Sequence, residues 1–97
     1  MTAVELVRLK PKPGARERLL EIRPTLLEQY RKHYPQFEAE LATSEDGTWI
    51  DIWTWEDRKF AEEALADTSR FPAFEEWVTL VDLEAVIWTE VTEIIRP

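Results

Sequence analysis

The sequence predicts an α+β domain built as a four-stranded antiparallel sheet with helices on one face. Two patterns support this fold: apolar residues alternate with period two in short segments and recur with helical spacing in longer ones, in the order β-α-β-β-α-β. Size is a third observation, because 97 residues suffice for one core but not for two. We therefore expect residues 1–97 to form a single domain.

The first predicted elements are a strand and a long helix. Residues 3–9 are short, β-branched and largely apolar, which is typical of a strand, and the prolines that follow would end its pairing. Residues 15–34 carry apolar side chains at helical spacing. Pro24 lies inside this helix and lacks a backbone N–H, so we expect a kink or a break there.

Residues 36–43 and 48–55 form the next two predicted strands. The turn between them contains Gly47, where a positive φ is most needed. The second strand alternates strictly, placing Ile50 and Ile52 on one face and Trp49, Asp51, Trp53 and Trp55 on the other. We expect the isoleucines to face the helices.

The second half of the chain completes the pattern. Asp57 can cap the next helix, and Pro72 suits the first turn of a further one, so the second helix is expected in two pieces. Residues 84–95 alternate as a last strand, with Trp88 and Glu90 on the same side. Two split βαβ units of this kind form the ferredoxin-like arrangement.

Composition excludes several classes of function. Twenty acidic and twelve basic residues give a formal net charge of -8, which argues against binding nucleic acid or an anionic membrane. The sequence has no cysteine and one histidine, so it can form neither a thiolate metal site nor a multi-histidine one. It also lacks a phosphate-binding loop, so we expect no cofactor. Without a membrane helix or a secretory signal pattern, we expect a cytoplasmic protein.

Aromatic side chains are the second peculiarity of the composition. Residues 48–97 hold all five tryptophans together with the whole acidic excess. If the isoleucines face the helices, four indoles lie on the uncovered side of the sheet: Trp49, Trp53, Trp55 and Trp88. Such a patch exceeds what a soluble monomer usually exposes, so we expect a homodimer formed sheet against sheet, with a cavity between the two sheets.

Three short motifs resemble a known family. Residues 10–17 (KPKPGARE) enter the first helix, residues 55–58 (WEDR) leave the third strand, and residues 71–74 (FPAF) precede the last segment. In this order they resemble antibiotic-biosynthesis-monooxygenase domains of the dimeric α/β-barrel superfamily. The resemblance covers essentially the whole chain. It implies a homodimeric barrel with an interior pocket, whereas oxygenase chemistry does not follow from it alone.

The chain also departs from that family. Members often carry Glu two residues before the strand-exit tryptophan, where this chain has Trp53, and many have His where it has Ala64. Members that degrade haem or oxidise anthrones resemble one another in using an asparagine with a tryptophan, and this sequence contains no asparagine. The resemblance therefore disfavours haem degradation, and any oxygenation would need another polar partner.

Asp51 is the principal candidate for catalysis. A carboxylate placed among indoles loses hydration, and a desolvated carboxylate is suited to act as a general base on a phenolic or enolic substrate. The structural alternative is a salt bridge to Arg8, if the first strand turns that side chain to the same face. Glu90 and Glu40 are further candidates, with a rim position as their alternative. His33 could shuttle protons, although its position favours a helix C-terminal role.

Two functions remain in competition. The first is a homodimer that binds a hydrophobic aromatic molecule between its sheets and oxidises it without a cofactor, with Asp51 and Glu90 as catalytic residues and Arg8 and the four indoles as the binding surface. The second is a non-catalytic ligand-binding or oligomerisation module in which the tryptophans hold the dimer together. The register of the first strand is also open, so either Arg8 or Glu5 faces the cavity.

Overall fold

The computed structural model of the protein describes residues 2–97 and confirms the predicted order of elements. Its helices and strands are β1 (Ala3–Leu9), α1 (Arg16–His33), β2 (Glu38–Thr43), β3 (Trp49–Trp55), α2 (Arg58–Ala66), α3 (Pro72–Leu80) and β4 (Ile87–Val91). A short 3-10 turn precedes α3 and another precedes β4. None of the helices in this described range is long and apolar enough to span a bilayer.

The four strands form one antiparallel sheet in the order β2-β3-β1-β4, as the ferredoxin-like prediction requires. The register places Val7 of β1 opposite Asp51 of β3 and opposite Trp88 of β4. β1 and β3 are therefore the central strands. Side chains that alternate along them divide into a helix face, covered by α1, α2 and α3, and an open face on the other side of the sheet.

Several local predictions are confirmed. The Asp57 carboxylate accepts a hydrogen bond of 3.0 Å from the backbone N–H of Lys59, which caps α2. Pro72 occupies the first turn of α3, and Gly47 has a φ of 86° in the β2–β3 turn.

One of the two outcomes expected at Pro24 is excluded, and one boundary differs from the prediction. α1 does not break at Pro24, because it continues through that residue as 18 residues with apolar side chains buried on both sides of it. The last strand is shorter than residues 84–95, since Asp82 accepts a hydrogen bond from the Glu84 backbone N–H and starts a 3-10 turn instead.

The predicted orientation of β3 is wrong. Trp49, Trp53 and Trp55 are at most 2% exposed and pack under the helices, whereas Ile50 on the open face is 40% exposed. Alternation shows that two faces differ, but it does not say which one the helices cover. Each indole removes on the order of 200 Å² from water, more than an isoleucine does, so the helices stabilise the fold most by covering the tryptophans.

Candidate functional site

The helix face of the sheet contains a continuous aromatic cluster centred on Tyr30 of α1. The Tyr30 ring lies 5.2 Å from Trp55, 5.6 Å from Trp53 and 4.7 Å from Phe71, measured between ring centroids. Trp53 in turn meets Trp88 of β4 edge to face at 5.1 Å. These distances are those of favourable aromatic pairs, so the cluster holds α1 firmly against β3.

One carboxylate lies inside this aromatic cluster. Glu5 of β1 is opposite Trp53 and therefore shares the helix face. Its two carboxylate oxygens each accept a hydrogen bond of 2.7 Å, one from Nε1 of Trp55 and the other from Nε1 of Trp88. Bonds from an N–H to a charged acceptor are about twice as strong as neutral ones, so two indoles fix the position of this carboxylate.

A small cavity adjoins the Glu5 carboxylate. It encloses about 10 Å³. Its wall is formed by residues of β1, α1, β3, α2, α3 and β4: Glu5, Tyr30, Trp53, Trp55, Ala61, Ala64, Leu65, Phe74 and Trp88. That space admits the centre of a single water molecule, and sites for drug-sized ligands measure roughly 300–1,000 Å³.

Two residues of the cavity wall carry unusual polar groups: an indole N–H without a partner and a phenol with a raised pKa. Nε1 of Trp53 is buried and has no hydrogen-bond partner within residues 2–97, although a buried indole N–H normally has one. Burial, reinforced by the negative charge of Glu5, raises the pKa of the Tyr30 hydroxyl far above its usual value of 10.0. The residues that line the cavity therefore include a carboxylate held by two indoles, a phenol that keeps its proton and an indole whose buried N–H has no partner.

Asp51 also lies on the helix face, but its charge is paired with Arg23 of α1. The guanidinium donates two hydrogen bonds to the carboxylate, from Nη2 at 2.7 Å and from Nε at 3.2 Å. The Asp51 side chain is 5% exposed and the Arg23 side chain is 20% exposed. The predicted alternative, a salt bridge between Asp51 and Arg8, is wrong because Arg8 lies opposite Ile50 and points to the open face.

The remaining predicted site residues are dispersed. Glu90 is exposed on β4 and forms an ion pair with Arg58 at the start of α2. Trp49 is buried, but its ring lies under the guanidinium of Arg16 at 5.5 Å and outside the cavity wall. Of the predicted binding residues, the cavity brings together only Trp53, Trp55 and Trp88. Roles for Asp51, Glu90 and Arg8 in catalysis or binding stay predictions.

Sequence reasoning left Glu5 and Arg8 as alternatives for the cavity side of β1, and it gave no site role to Tyr30 or to Arg23, the partner of Asp51. A signal for Glu5 was present, because it shares its parity in β1 with Ala3 and Val7, which are both buried. A carboxylate between two core positions is expensive unless it has partners. Its partners lie 50 and 83 positions away along the chain, so local patterns could not name them.

No metal site accompanies the cavity in the described residues. Residues 2–97 contain no group of three or more His, Asp or Glu side chains placed to hold a metal ion. The chemical groups that the cavity offers are those of the carboxylate, the phenol and the indoles.

Comparison with known proteins gives matches in structure only. No family profile and no curated protein sequence matches the chain. SnoaB, a cofactor-independent oxygenase from Streptomyces nogalater, is 16% identical with a TM-score of 0.78, over 98% of this chain and 95% of that chain. An antibiotic biosynthesis monooxygenase is 17% identical with a TM-score of 0.73, over 98% and 100%. A dimeric ferredoxin-like protein of unknown function from Jannaschia sp. is 16% identical with a TM-score of 0.70, over 96% and 100%. The TM-scores establish a shared fold, and at identities this low they establish the fold alone. Over nearly its whole length, the chain has the ferredoxin-like fold found in antibiotic biosynthesis monooxygenase structures.

Proposed function

We propose that the protein is a homodimeric, cofactor-independent oxygenase that binds a hydrophobic aromatic small molecule. The proposed binding site is the cavity between the sheet and the helices of each protomer, which has to open before it can admit a ring. It replaces the predicted space between two sheets, because the indoles of β3 expected to line that space are buried under the helices. The observation that carries the proposal is the Glu5 carboxylate, which two indoles hold in a wall formed mostly by aromatic residues. The oxygenase described among the structural neighbours supports the reaction class by analogy of fold.

The chemistry of the wall suits an electron-rich aromatic substrate. Flat rings can stack on or meet edge-on the indoles and Tyr30, and the few polar groups of the wall can orient one oxygen-bearing edge of the ligand. Removal of a proton from a phenol or an enol gives an anion that can pass an electron to O2. The protein then needs to supply only binding, orientation and a proton acceptor.

Anthrone is a suitable probe for this activity. Its oxidation by O2 gives anthraquinone and water: the two C–H bonds of the methylene group break, one oxygen atom becomes the new carbonyl, and the other leaves as water with both hydrogens. We expect the purified protein, with no added metal or cofactor, to consume O2 and anthrone in equal amounts. An oxygen electrode and absorbance of the quinone measure the two quantities.

A matched pair of variants tests where this reaction occurs. Ala61→Phe fills the cavity wall, and Ala66→Phe places the same side chain on an exposed position of the same helix. We expect Ala61→Phe to lose anthrone oxidation and Ala66→Phe to keep it. Equal loss in both variants, or no O2 uptake above the uncatalysed rate by the wild type, would contradict the proposal.

The non-catalytic function has a distinct result in the same experiment. A ligand-binding module would show quenching of tryptophan fluorescence that saturates with anthrone, because three indoles line the cavity, but it would consume no O2. An oligomerisation module would show neither. The anthrone titration therefore separates the three cases.

The homodimer rests on the open face. This face exposes aliphatic side chains of the central and outer strands, including Ile50 at 40% and Ile87 at 53%, beside Leu6 and Ile52. Aliphatic residues that lie next to one another across strands form a patch that a second copy can cover, sheet against sheet. The dimeric state of the Jannaschia neighbour supports this arrangement by analogy.

Substitution on the open face tests the dimer without touching the cavity. Ile52→Lys places a charge at its centre, so we expect a change from dimer to monomer in sedimentation velocity while the circular dichroism spectrum stays that of the wild type. Thr25→Lys, which adds the same single positive charge at an exposed position of α1, is the control and should remain dimeric. A wild-type protein that sediments as a monomer at micromolar concentration would overturn the homodimer.

A further inference from the structure

We propose that Glu5 is the group that accepts the hydroxyl proton of the ligand, and that Trp55 and Trp88 are positioning residues that hold it in place. This inference rests on the proposed function and names the ligand class of the cavity: aromatic compounds with a free phenolic or enolic hydroxyl. The carboxylate predicted from the sequence for this role was Asp51, whose two oxygens are already bound by Arg23.

The hydrogen-bond capacity of Glu5 leaves room for a ligand. An ionised carboxylate has about four acceptor positions on its two oxygens. The indoles of Trp55 and Trp88 use one position on each oxygen, at 2.7 Å. Glu5 is partly exposed, and the other residues that line the cavity are aromatic or aliphatic apart from the Tyr30 hydroxyl. The remaining acceptor positions are therefore available to water or to a donor from a ligand.

The charged groups near Glu5 leave it as the proton acceptor of the cavity. Tyr30 of α1 keeps its proton, since burial and the charge of Glu5 both raise its pKa. Glu90, opposite Glu5 on β4, is exposed and paired with Arg58. The cavity residues of α2 and α3 are Ala61, Ala64, Leu65 and Phe74, which do not titrate.

Proton transfer at this site follows directly. The O–H bond of the ligand breaks, the proton moves to a carboxylate oxygen of Glu5, and the electron pair stays on the ligand oxygen. Trp53 lines the same wall, and its buried Nε1 has no partner. A ligand oxygen that reaches this N–H in the opened cavity would gain a donor when it becomes negative. The two indoles on Glu5 keep it in one orientation throughout, so little reorganisation accompanies the transfer.

Entry of a ring requires the cavity to open, and α2 is the wall suited to move. Of its nine residues only Ala64 is buried, while Leu65, which also lines the cavity, is 60% exposed. Small side chains at positions 61 and 64 face the cavity from this helix. A modest outward shift of α2 would therefore enlarge the site without separating α1 from the sheet.

Two probe ligands test the assignment on the intact protein. Para-nitrophenol can donate a proton to Glu5, whereas para-nitroanisole has the same ring and nitro group but no hydroxyl hydrogen. By isothermal titration calorimetry below the pKa of the free phenol, we expect the wild type to bind the phenol at least about tenfold more tightly. Above that pKa this preference should disappear, because the phenolate and the Glu5 carboxylate repel each other.

Three variants locate the effect. Glu5→Gln should bind both probes within about twofold of each other, and the exposed control Glu28→Gln should keep the wild-type preference. Trp88→Phe removes one of the two hydrogen bonds to Glu5 and should reduce the preference without abolishing it. If Glu5→Gln does not fold, the preference of the wild type for the phenol and its reduction in Trp88→Phe still test whether Glu5 accepts the proton.

The outcomes separate this inference from the proposed function. Equal binding of both probes by the wild type would overturn the role of Glu5 and leave aromatic binding intact. Binding of neither probe would overturn the proposed site itself. With anthrone, whose enol tautomer carries the hydroxyl that Glu5 would deprotonate, Glu5→Gln should lower kcat at least about 100-fold with little change in KM, as expected when a general base is lost and the pocket is not.

Discussion

The two faces of the sheet use hydrophobic side chains for different purposes. The helix face is largely aromatic, and its carboxylates Glu5 and Asp51 are each held by donors from other elements. The open face is aliphatic, with Arg8 exposed among isoleucines. Carboxylates of the helix face are thus held in place by donors, whereas Arg8 on the open face is exposed. This contrast supports the proposals of a binding site on the helix face and of an interface on the open face.

This difference also relates to the size of the side chains. Large rings fill the space under the helices and leave a cavity of about 10 Å³ where they do not fit together perfectly. Indole and phenol groups also have polar edges, which an aliphatic core would lack. The residues that make the core bulky are therefore the same ones that give it hydrogen-bonding chemistry.

The largest expected effect compares neighbouring positions of β3 on opposite faces. Trp53 is 1% exposed, so Trp53→Ala should lower the free energy of unfolding by about 3–5 kcal/mol. Ile52→Ala removes a half-buried side chain from the open face and should cost roughly 1 kcal/mol in the isolated protomer. Urea denaturation monitored by circular dichroism measures both.

Protein concentration sharpens this first comparison. If a second copy covers the open face, the cost of Ile52→Ala should fall on dilution, because the dimer contributes less to stability at low concentration. The cost of Trp53→Ala should not change with concentration. A larger loss of stability for Ile52→Ala than for Trp53→Ala in the monomeric range would contradict the assignment of the two faces.

The second prediction concerns the Arg23–Asp51 pair on the helix face. Arg23→Met leaves the Asp51 carboxylate buried without its partner, which should cost up to about 3 kcal/mol. The double variant Arg23→Met with Asp51→Leu should recover most of this loss, since no buried charge then remains. Arg18→Met, which breaks an exposed pair with Glu76, is the control and should have a far smaller effect.

The same pair tests the predicted catalytic role of Asp51. If Asp51 were the general base, Asp51→Asn would abolish anthrone oxidation even where the protein remains folded. If its role is to hold α1 against β3, the variant loses stability and keeps turnover in proportion to its folded fraction. Rates normalised to the folded fraction distinguish these results.

Prediction from sequence worked where the physical cause is local. The alternation in 48–55, the cap at Asp57 and the positive φ of Gly47 depend on neighbours in the chain, and all three were predicted. The orientation of β3 was not, because period-two alternation looks the same from either side. The partners of Glu5 and Asp51 come from other elements, so only the assembled fold brings them together.

The smallest expected effect concerns Asp46, a carboxylate in the β2–β3 turn that is solvated, unlike Glu5. It accepts hydrogen bonds from the Thr48 backbone N–H at 2.9 Å and from the Ser44 hydroxyl at 2.7 Å. These bonds, the first above all, lower its pKa from 3.8 to about 2. Because the folded state favours the charged form, Asp46 stabilises the protein above the unfolded pKa.

This sign determines the test. At neutral pH, Asp46→Asn should unfold at a slightly lower urea concentration than the wild type. The gap should close as the pH falls from 3.8 towards 2, since the wild type then takes up the proton and loses the same interaction. Glu45→Gln removes a charge from the same turn without removing either hydrogen bond, so it should follow the wild type. If Asp46→Asn still unfolds at a lower urea concentration than the wild type at the lowest pH, the charge of Asp46 is not what stabilises the turn. The geometry of its hydrogen bonds would then account for the whole difference in stability.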